Sequence, residues 1–316
     1  MKRLRFCILV FLVLMAACQS VGAPSEEAVP EPTQASLPTN TPPPVGVGGG
    51  GTIAFEIRSG STSKLHVVNS DGSDLQDFAG LSGYLADWSP DGRQIIYVAG
   101  GRSSRNDLFV ADADGSNMRR LTYTPEEEGI PAWSPDGETI AVSINLDGDA
   151  EIYLLDIESG EVVAQLTDNE DIDDYMPAWS PDGTQIAYVT NTGSPESTEV
   201  HTMNSDGGNN RSLTENEVLD FYPAWSPNGK QISFVSERDG NGEIYLMDTG
   251  GLNVRRLTND PVWDSRPAWS PDGTVIAFHS QVDENISINL VDIKSGEVWQ
   301  LVDDGVHPAW SPAVAE

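Results

Sequence analysis

The 316-residue sequence predicts an all-β fold, a six-bladed propeller of four-stranded blades, and three observations carry that prediction. Trp-Ser-Pro recurs at Trp88, Trp133, Trp179, Trp225, Trp269 and Trp310, at spacings of 45, 46, 46, 44 and 41 residues, a period that marks a radial array of supersecondary units. A tight-turn sequence and short β-rich runs follow five of the six copies. The two ends of the array are complementary halves of one unit.

Within each unit the elements follow from local chemistry. Five copies continue as Ser-Pro-Asp-Gly or, at Ser226 to Gly229, Ser-Pro-Asn-Gly. Proline preset at the second position and glycine at the fourth describe a type I turn between two strands. The runs Ile95-Ile96-Tyr97, Ile140-Ala141-Val142, Ile186-Ala187-Tyr188, Ile232-Ser233-Phe234 and Ile276-Ala277-Phe278 supply a second strand. Alternating runs such as Glu243-Ile244-Tyr245-Leu246-Met247-Asp248 supply a half-buried third. A Gly-containing turn and a short run such as Arg255-Arg256-Leu257-Thr258 supply a fourth. Asp112-Ala113-Asp114-Gly115-Ser116-Asn117 resembles the opening of a calcium loop, yet Asn117 and Tyr123 occupy the places where that loop requires Gly and Glu, so the segment reads as a hairpin turn.

Thr52-Ile53-Ala54-Phe55 matches the run after the turn without a Trp-Ser-Pro before it, whereas Trp310-Ser311-Pro312 has no strands after it. The sequence therefore predicts that residues 306 to 311 supply the innermost strand of a blade whose outer three strands come from residues 52 to 80. Such closure leaves no long strand edge exposed.

Pro-Ala-Trp-Ser-Pro-Asp-Gly, Ser236-Glu237-Arg238-Asp239-Gly240-Asn241 and Glu243-Ile244-Tyr245-Leu246-Met247 resemble the TolB-type, WD-like propeller repeat over residues 52 to 312. The resemblance implies a six-bladed propeller used either as a binding module or as a domain gating a peptidase-like hydrolase. Neither a TolB-like N-terminal α/β domain nor a hydrolase domain matches the remaining sequence.

Upstream of the array, Lys2, Arg3 and Arg5 precede an apolar run from Phe6 to Ala17 that ends in Leu14-Met15-Ala16-Ala17-Cys18. The pattern reads as a signal peptide over residues 1–17, with either an ordinary cleavage site or a lipobox that acylates Cys18. Residues 18–51, rich in Pro, Gly and Ser, read as a tether and residues 52–316 as the propeller. A lipid-anchored, extracytoplasmic and monomeric protein is the expectation. Cys7 and Cys18 are the only cysteines, so the propeller carries no disulfide and no thiol nucleophile.

Function is constrained by charge. Lys and Arg number 17 against 49 Asp and Glu, a net charge of −32, which disfavours nucleic acid and favours a cation or a basic partner. Gly-x-Ser-x-Gly, His-Glu-x-x-His and phosphate-binding glycine loops do not occur. His66 and His201 fall in the column of Phe109, Tyr153, Tyr245 and Asn289, and read as packed substitutes for aromatics, and His279 reads as an ordinary strand residue. Five residues before the Trp stand Glu128, Asp174, Asp220 and Asp264, with Glu126 to Glu128, Asp168 to Asp174, Glu215 and Glu217, and Asp303-Asp304 in the adjoining crossings. They predict an acidic channel mouth able to attract a divalent cation, or else a solvating surface.

Three residues before each Trp, Leu85, Ile130, Met176, Tyr222, Arg266 and His307 form a column that varies while its neighbours repeat. Tyr222, Arg266 and His307 are expected to make a polar arc beside the acids, provided that Arg266 pairs with Asp264. The leading expectation is a non-catalytic module binding a protein, peptide or glycan partner in the cell envelope through its acidic loop face. The alternatives are a metal-dependent polysaccharide lyase or hydrolase and an accessory domain of a peptidase-like system.

Overall fold

A computed structural model of the chain describes residues 50–60, 62–100, 106–123, 126, 128–146, 148–191, 197–282 and 285–312. The signal sequence, Cys18 and the tether up to residue 49 lie outside the described residues, so the expectations made for them stand as expectations.

Six antiparallel four-stranded sheets form the blades of the propeller. In the closure blade, Gly305–Trp310 is innermost and is followed outward by Thr52–Ser59, Thr62–Asn69 and Gln76–Ser82. The second blade runs outward through Tyr84–Trp88, Gln94–Gly100, Asn106–Asp112 and Arg119–Arg120, and the third through Ala132–Trp133, Thr139–Ile144, Glu151–Asp156 and Val162–Gln165. The fourth comprises Asp174–Trp179, Gln185–Asn191, Thr198–Asn204 and Arg211–Ser212. The fifth comprises Asp220–Trp225, Gln231–Ser236, Glu243–Asp248 and Arg255–Arg256, and the sixth Trp263–Trp269, Val275–Val282, Asn285–Asp292 and Val298–Asp303.

The predicted closure is present. Ile53 pairs with Trp310 and Ala54 with Ala309, while Ser311 N–H donates to Thr52 O at 2.8 Å and Thr52 N–H to Ser311 Oγ at 2.9 Å. The Trp310 indole donates to Gly50 O at 2.9 Å. Hydrogen bonds and packing therefore tie the two ends of the array together.

Each predicted turn closes with a backbone bond from Gly N–H to Ser O, from Gly92 to Ser89 at 2.8 Å and at 2.9 Å in the four copies ending at Gly137, Gly183, Gly229 and Gly273. The Ser hydroxyl donates to the acceptor two residues on, as in Ser180 to Asp182 at 2.7 Å, and accepts from the backbone of the returning strand, Gln185 N–H at 2.9 Å. The glycines sit at φ of 67° to 80°, the left-handed region in which a Cβ would be strained.

The core consists of six apolar clusters, one between each pair of neighbouring blades. Trp310 packs with Ile53, Phe55, Val275 and Ala277, joining the closure and sixth blades, and Trp133 packs with Leu85, Ile96 and Ile140, joining the second and third. The repeated Trp is thus an inter-blade wedge, and its regular spacing reflects regular blade contacts. Arginines of the outermost strands add a recurring clamp: Arg119, Arg211 and Arg255 donate through Nη2 to Ile157 O, Thr249 O and Ile293 O of the following blade, at 2.6 to 2.7 Å. His66 and His201 take their expected aromatic places, against Phe55 at 5.9 Å and Tyr188 at 5.7 Å between ring centroids.

Candidate functional site

The innermost strands carry the axis. In five of the six blades the register slips by one residue in its middle, as between Tyr175 and Ala178 or Phe221 and Ala224, the signature of a β-bulge. The residue at the bulge is the one three before the Trp. Leu85, Met176, Tyr222, Arg266 and His307 all lie at φ between 52° and 57°, a left-handed conformation costly to side chains other than glycine. Its recurrence in five blades shows that ring packing imposes it. Ile130 belongs to the same column without the positive φ.

These bulges converge on a cavity of about 110 Å³ lined by Ile130, Met176, Tyr222 and Arg266 together with Pro177, Pro223, Pro267 and Pro308. Five blades contribute, so the cavity lies on the axis, and the channel there is narrowed to room for a few waters or one small ion. The Arg266 guanidinium carbon stands 4.4 Å from the centroid of the Tyr222 ring.

The expected acidic mouth is corrected by the structure. Glu128, Asp174, Asp220 and Asp264 are 4%, 1%, 0% and 0% exposed. Asp174 accepts from Thr190 Oγ1 and Asn169 Nδ2, each at 2.8 Å. Asp220 accepts from Asn216 Nδ2 at 2.6 Å and pairs with Arg238 at 3.0 Å, and Asp264 accepts from Ser280 Oγ at 2.6 Å. Burial holds the carboxyls of Asp174 and Asp264 above their ordinary range, Asp264 strongly and with help from neighbouring Asp260.

A second acidic column, which the sequence reading missed, explains this burial. Glu151, Glu199 and Glu243 stand first or second in third strands and accept backbone N–H groups of the next crossing: Asn169 at 2.7 Å, Asn216 at 2.7 Å and Asp260 at 3.2 Å. The side chains of Asn169 and Asn216 then donate to Asp174 and Asp220 of the following blade. Acid, crossing and acid form a strut between blades, and burial raises the Glu151 carboxyl to about 7. The signal was available in the repeated Thr-x-Asn of Thr167 to Asn169 and Thr214 to Asn216, whose threonines receive Ile152 N–H and Val200 N–H at 2.9 Å.

Other expectations change as well. No ion pair joins Arg266 to Asp264 among the described residues. Among those residues, too, no three His, Cys, Asp or Glu side chains are placed to hold one metal ion, so the divalent-cation reading lacks a ligand set. His279 holds its expected place in the strand Val275–Val282, but it is also 8% exposed and meets His307 edge to face at 5.3 Å. Acids remain at the surface in the crossings. Asp168, Glu170, Asp171, Glu215, Glu217, Asp303 and Asp304 are all exposed, at the end of the ring where the innermost strands begin.

A second and larger cavity, about 640 Å³, opens between the closure and second blades beside Tyr97, Phe109, Asp107 and Arg120. Arg120 and Asp107 pair on its second-blade wall at 2.6 Å.

The family profile described as the TolB beta propeller domain matches residues 52–216 and 175–315. The chain belongs to this family. Among curated TolB-family relatives, the Tol-Pal system protein TolB of Xanthomonas campestris is 41% identical over 70 residues, which is 21% of this chain and 16% of that protein. A Bacillus subtilis protein named an uncharacterized peptidase, YuxL, is 37% identical over 59 residues, 19% of this chain and 9% of YuxL. The matched stretches thus span a small part of those relatives. Among solved structures, TolB from Acinetobacter baumannii superimposes with a TM-score of 0.74 at 23% identity, covering 83% of this chain and 67% of TolB. Oligogalacturonate lyase from Vibrio parahaemolyticus gives 0.53 at 12% identity, covering 81% and 72%. Both likenesses concern the fold.

Proposed function

We propose that the protein is a non-catalytic, extracytoplasmic binding lipoprotein whose TolB-family propeller engages a basic protein partner of the cell envelope through its crossing-loop face. The observation that carries this reading is the separation of the acids into two sets. The buried set is held inside the ring, Asp174 and Asp220 in struts between blades, whereas Glu170, Glu215, Glu217, Asp303 and Asp304 stay exposed at one end of the ring. Exposed like charges on a rigid scaffold steer and select an oppositely charged partner. The axial cavity, at about 110 Å³, is below the size of ordinary small-molecule sites, which disfavours the axis as the place where a larger ligand binds. The signal sequence and Cys18 support an anchored module, and two acyl chains would suffice to hold it.

Crosslinking capture from intact envelopes tests the reading, with the wild type compared with the triple variant Glu170→Gln, Glu215→Gln, Glu217→Gln. One basic protein should be captured by the wild type, lost with the variant, and not captured when the crosslinking is done in salt high enough to shorten the screening length to a few ångströms. Capture that is indifferent to both the substitutions and salt, or no capture at all, refutes it. Recovery of a glycan in place of a protein does so too.

A further inference from the structure

The two ends of the array meet over a buried cluster of titratable groups. His307 lies on the closing strand Gly305–Trp310, Glu56 on the first strand Thr52–Ser59, and His279 and Arg266 on the sixth blade. The rings of His279 and His307 meet edge to face at 5.3 Å, and the Nδ1 atoms of both are buried without a hydrogen-bond partner. Glu56 is buried too: Arg58 Nε holds one of its oxygens at 2.6 Å, and the other stands 3.4 Å from His307 Nδ1. Burial first, then the positive charges of Arg266 and Arg58, keeps His307 well below the ordinary imidazole range. For His279 burial is followed by His307, Arg266 and Arg58, with Glu56 pulling the other way.

Protonating either ring would bury a cation that nothing matches. Among the described residues Glu56 is the one carboxylate acting on the two rings, Arg58 already takes up its charge, and Arg266 adds a second positive charge. A buried charge without a partner is costly. Both rings are therefore neutral while the ring is closed, and once released each takes up a proton below its ordinary value of 6.5. The stability that such a depressed imidazole contributes is complete above pH 6.5 and is lost as the pH falls. Glu56, raised by burial, works in the opposite direction, as one group against two. The struts share the sign of Glu56: burial raises the carboxyls of Glu151, to about 7, and of Asp174, and what they contribute is lost as the pH rises. Acid thus tightens the struts and loosens the seam between the two ends.

We propose that the contacting pair His279 and His307 is an acid-sensitive latch: below about pH 6 their protonation frees the strand Gly305–Trp310 from Thr52–Ser59 and from the sixth blade, so that the ring opens at its seam before any other blade loosens. The opened seam bares the inner edge of Thr52–Ser59, a row of backbone groups with which another strand can pair. The device does not depend on the partner proposed for the crossing-loop face.

Hydrogen exchange of the full chain at pH 7 and pH 5, read by mass spectrometry and corrected for the intrinsic pH dependence of exchange, tests the proposal. A released imidazole changes the opening equilibrium about tenfold per pH unit below its ordinary pKa, so protection of residues 52–59 and 305–310 should fall about 30-fold if opening frees one ring and about 1,000-fold if it frees both. The fifth-blade strands Gln231–Ser236 and Glu243–Asp248, which hold no histidine, should not fall with them. The double variant His279→Val, His307→Asn places at 279 the residue that Val98, Val189 and Val235 supply in other blades, and at 307 one that tolerates φ of 54°. Its seam should lose no protection in acid. Seam protection that holds or rises on acidification of the wild type, an equal fall in the fifth blade, or an undiminished fall in the double variant would overturn the latch. Should the variant fail to fold, the imidazole resonances of His279 and His307 in the wild type decide: rings that stay neutral until the seam opens support the latch, and titration near pH 6.5 with the seam still protected overturns it.

Discussion

Removing the last strand should break the ring, and the structure sets the scale. Deleting residues 306 to 316 strips Val306, Ala309 and Trp310, which are 2%, 8% and 8% exposed, from contact with the closure and sixth blades. Burial of one large apolar side chain contributes about 1.5 to 3 kcal/mol, so Val306 and Trp310 together account for roughly 3 to 6 kcal/mol. The deletion also leaves the inner edge of Thr52–Ser59 unpaired and the Trp88 indole without its bond to Ala309 O at 3.2 Å, with each lost bond worth about 1 kcal/mol. The sum approaches the whole stability of an ordinary domain, about 5 to 15 kcal/mol, so the truncated chain should show no cooperative unfolding transition. Trp310→Ala alone should cost about 3 to 5 kcal/mol, a fall of roughly 6 to 20 °C in the midpoint for a domain of this size. Calorimetry and urea unfolding followed by tryptophan fluorescence measure both effects. A truncated protein that melts cooperatively at the wild-type midpoint would show that the terminal strand carries no part of the closure.

Asp87 stands where four of the other blades have alanine before the Trp and the closure blade has Ala309, and it accepts Trp88 N–H at 2.9 Å and Trp133 N–H of the next blade at 2.8 Å. Burial raises its pKa from 3.8 to about 6, so its contribution to stability is fully present below pH 3.8 and is lost as the pH rises through 6. The stability of the wild type relative to Asp87→Asn should therefore fall by up to about 3 kcal/mol between pH 4 and pH 7; urea unfolding at a series of pH values measures it, and a flat or rising difference contradicts the sign. At the other end of the chain, Cys18→Ser should abolish incorporation of an alkyne fatty acid during metabolic labelling and release the protein from the membrane fraction, and label retained in the variant refutes the anchor.

Sequence alone determined the features whose cause is local and repeated. A Ser-Pro-Asp-Gly turn needs only its own four residues, a Trp every 41 to 46 residues needs only equivalent blade contacts, and the complementary half-units at Thr52 and Trp310 announce closure without any distance being known. The axial column was legible for the same reason, because Tyr222, Arg266 and His307 interrupt an otherwise regular pattern. The tertiary structure decided what depends on separations between blades. Asp174, Asp220 and Asp264 read as surface acids because charged residues beside loops are usually solvated, yet the crossings bring Asn169 and Asn216 onto Asp174 and Asp220, the adjacent strand brings Ser280 onto Asp264, and all three are buried. Arg266 stands two residues from Asp264 in sequence but faces Tyr222, because the bulge at φ 56° turns its side chain away from the alternation of a regular strand. Glu56, His279 and His307 lie on three strands far apart in sequence, and no periodicity relates them. Closure of the ring alone sets them side by side, and so the charge balance at the axis belongs to the fold.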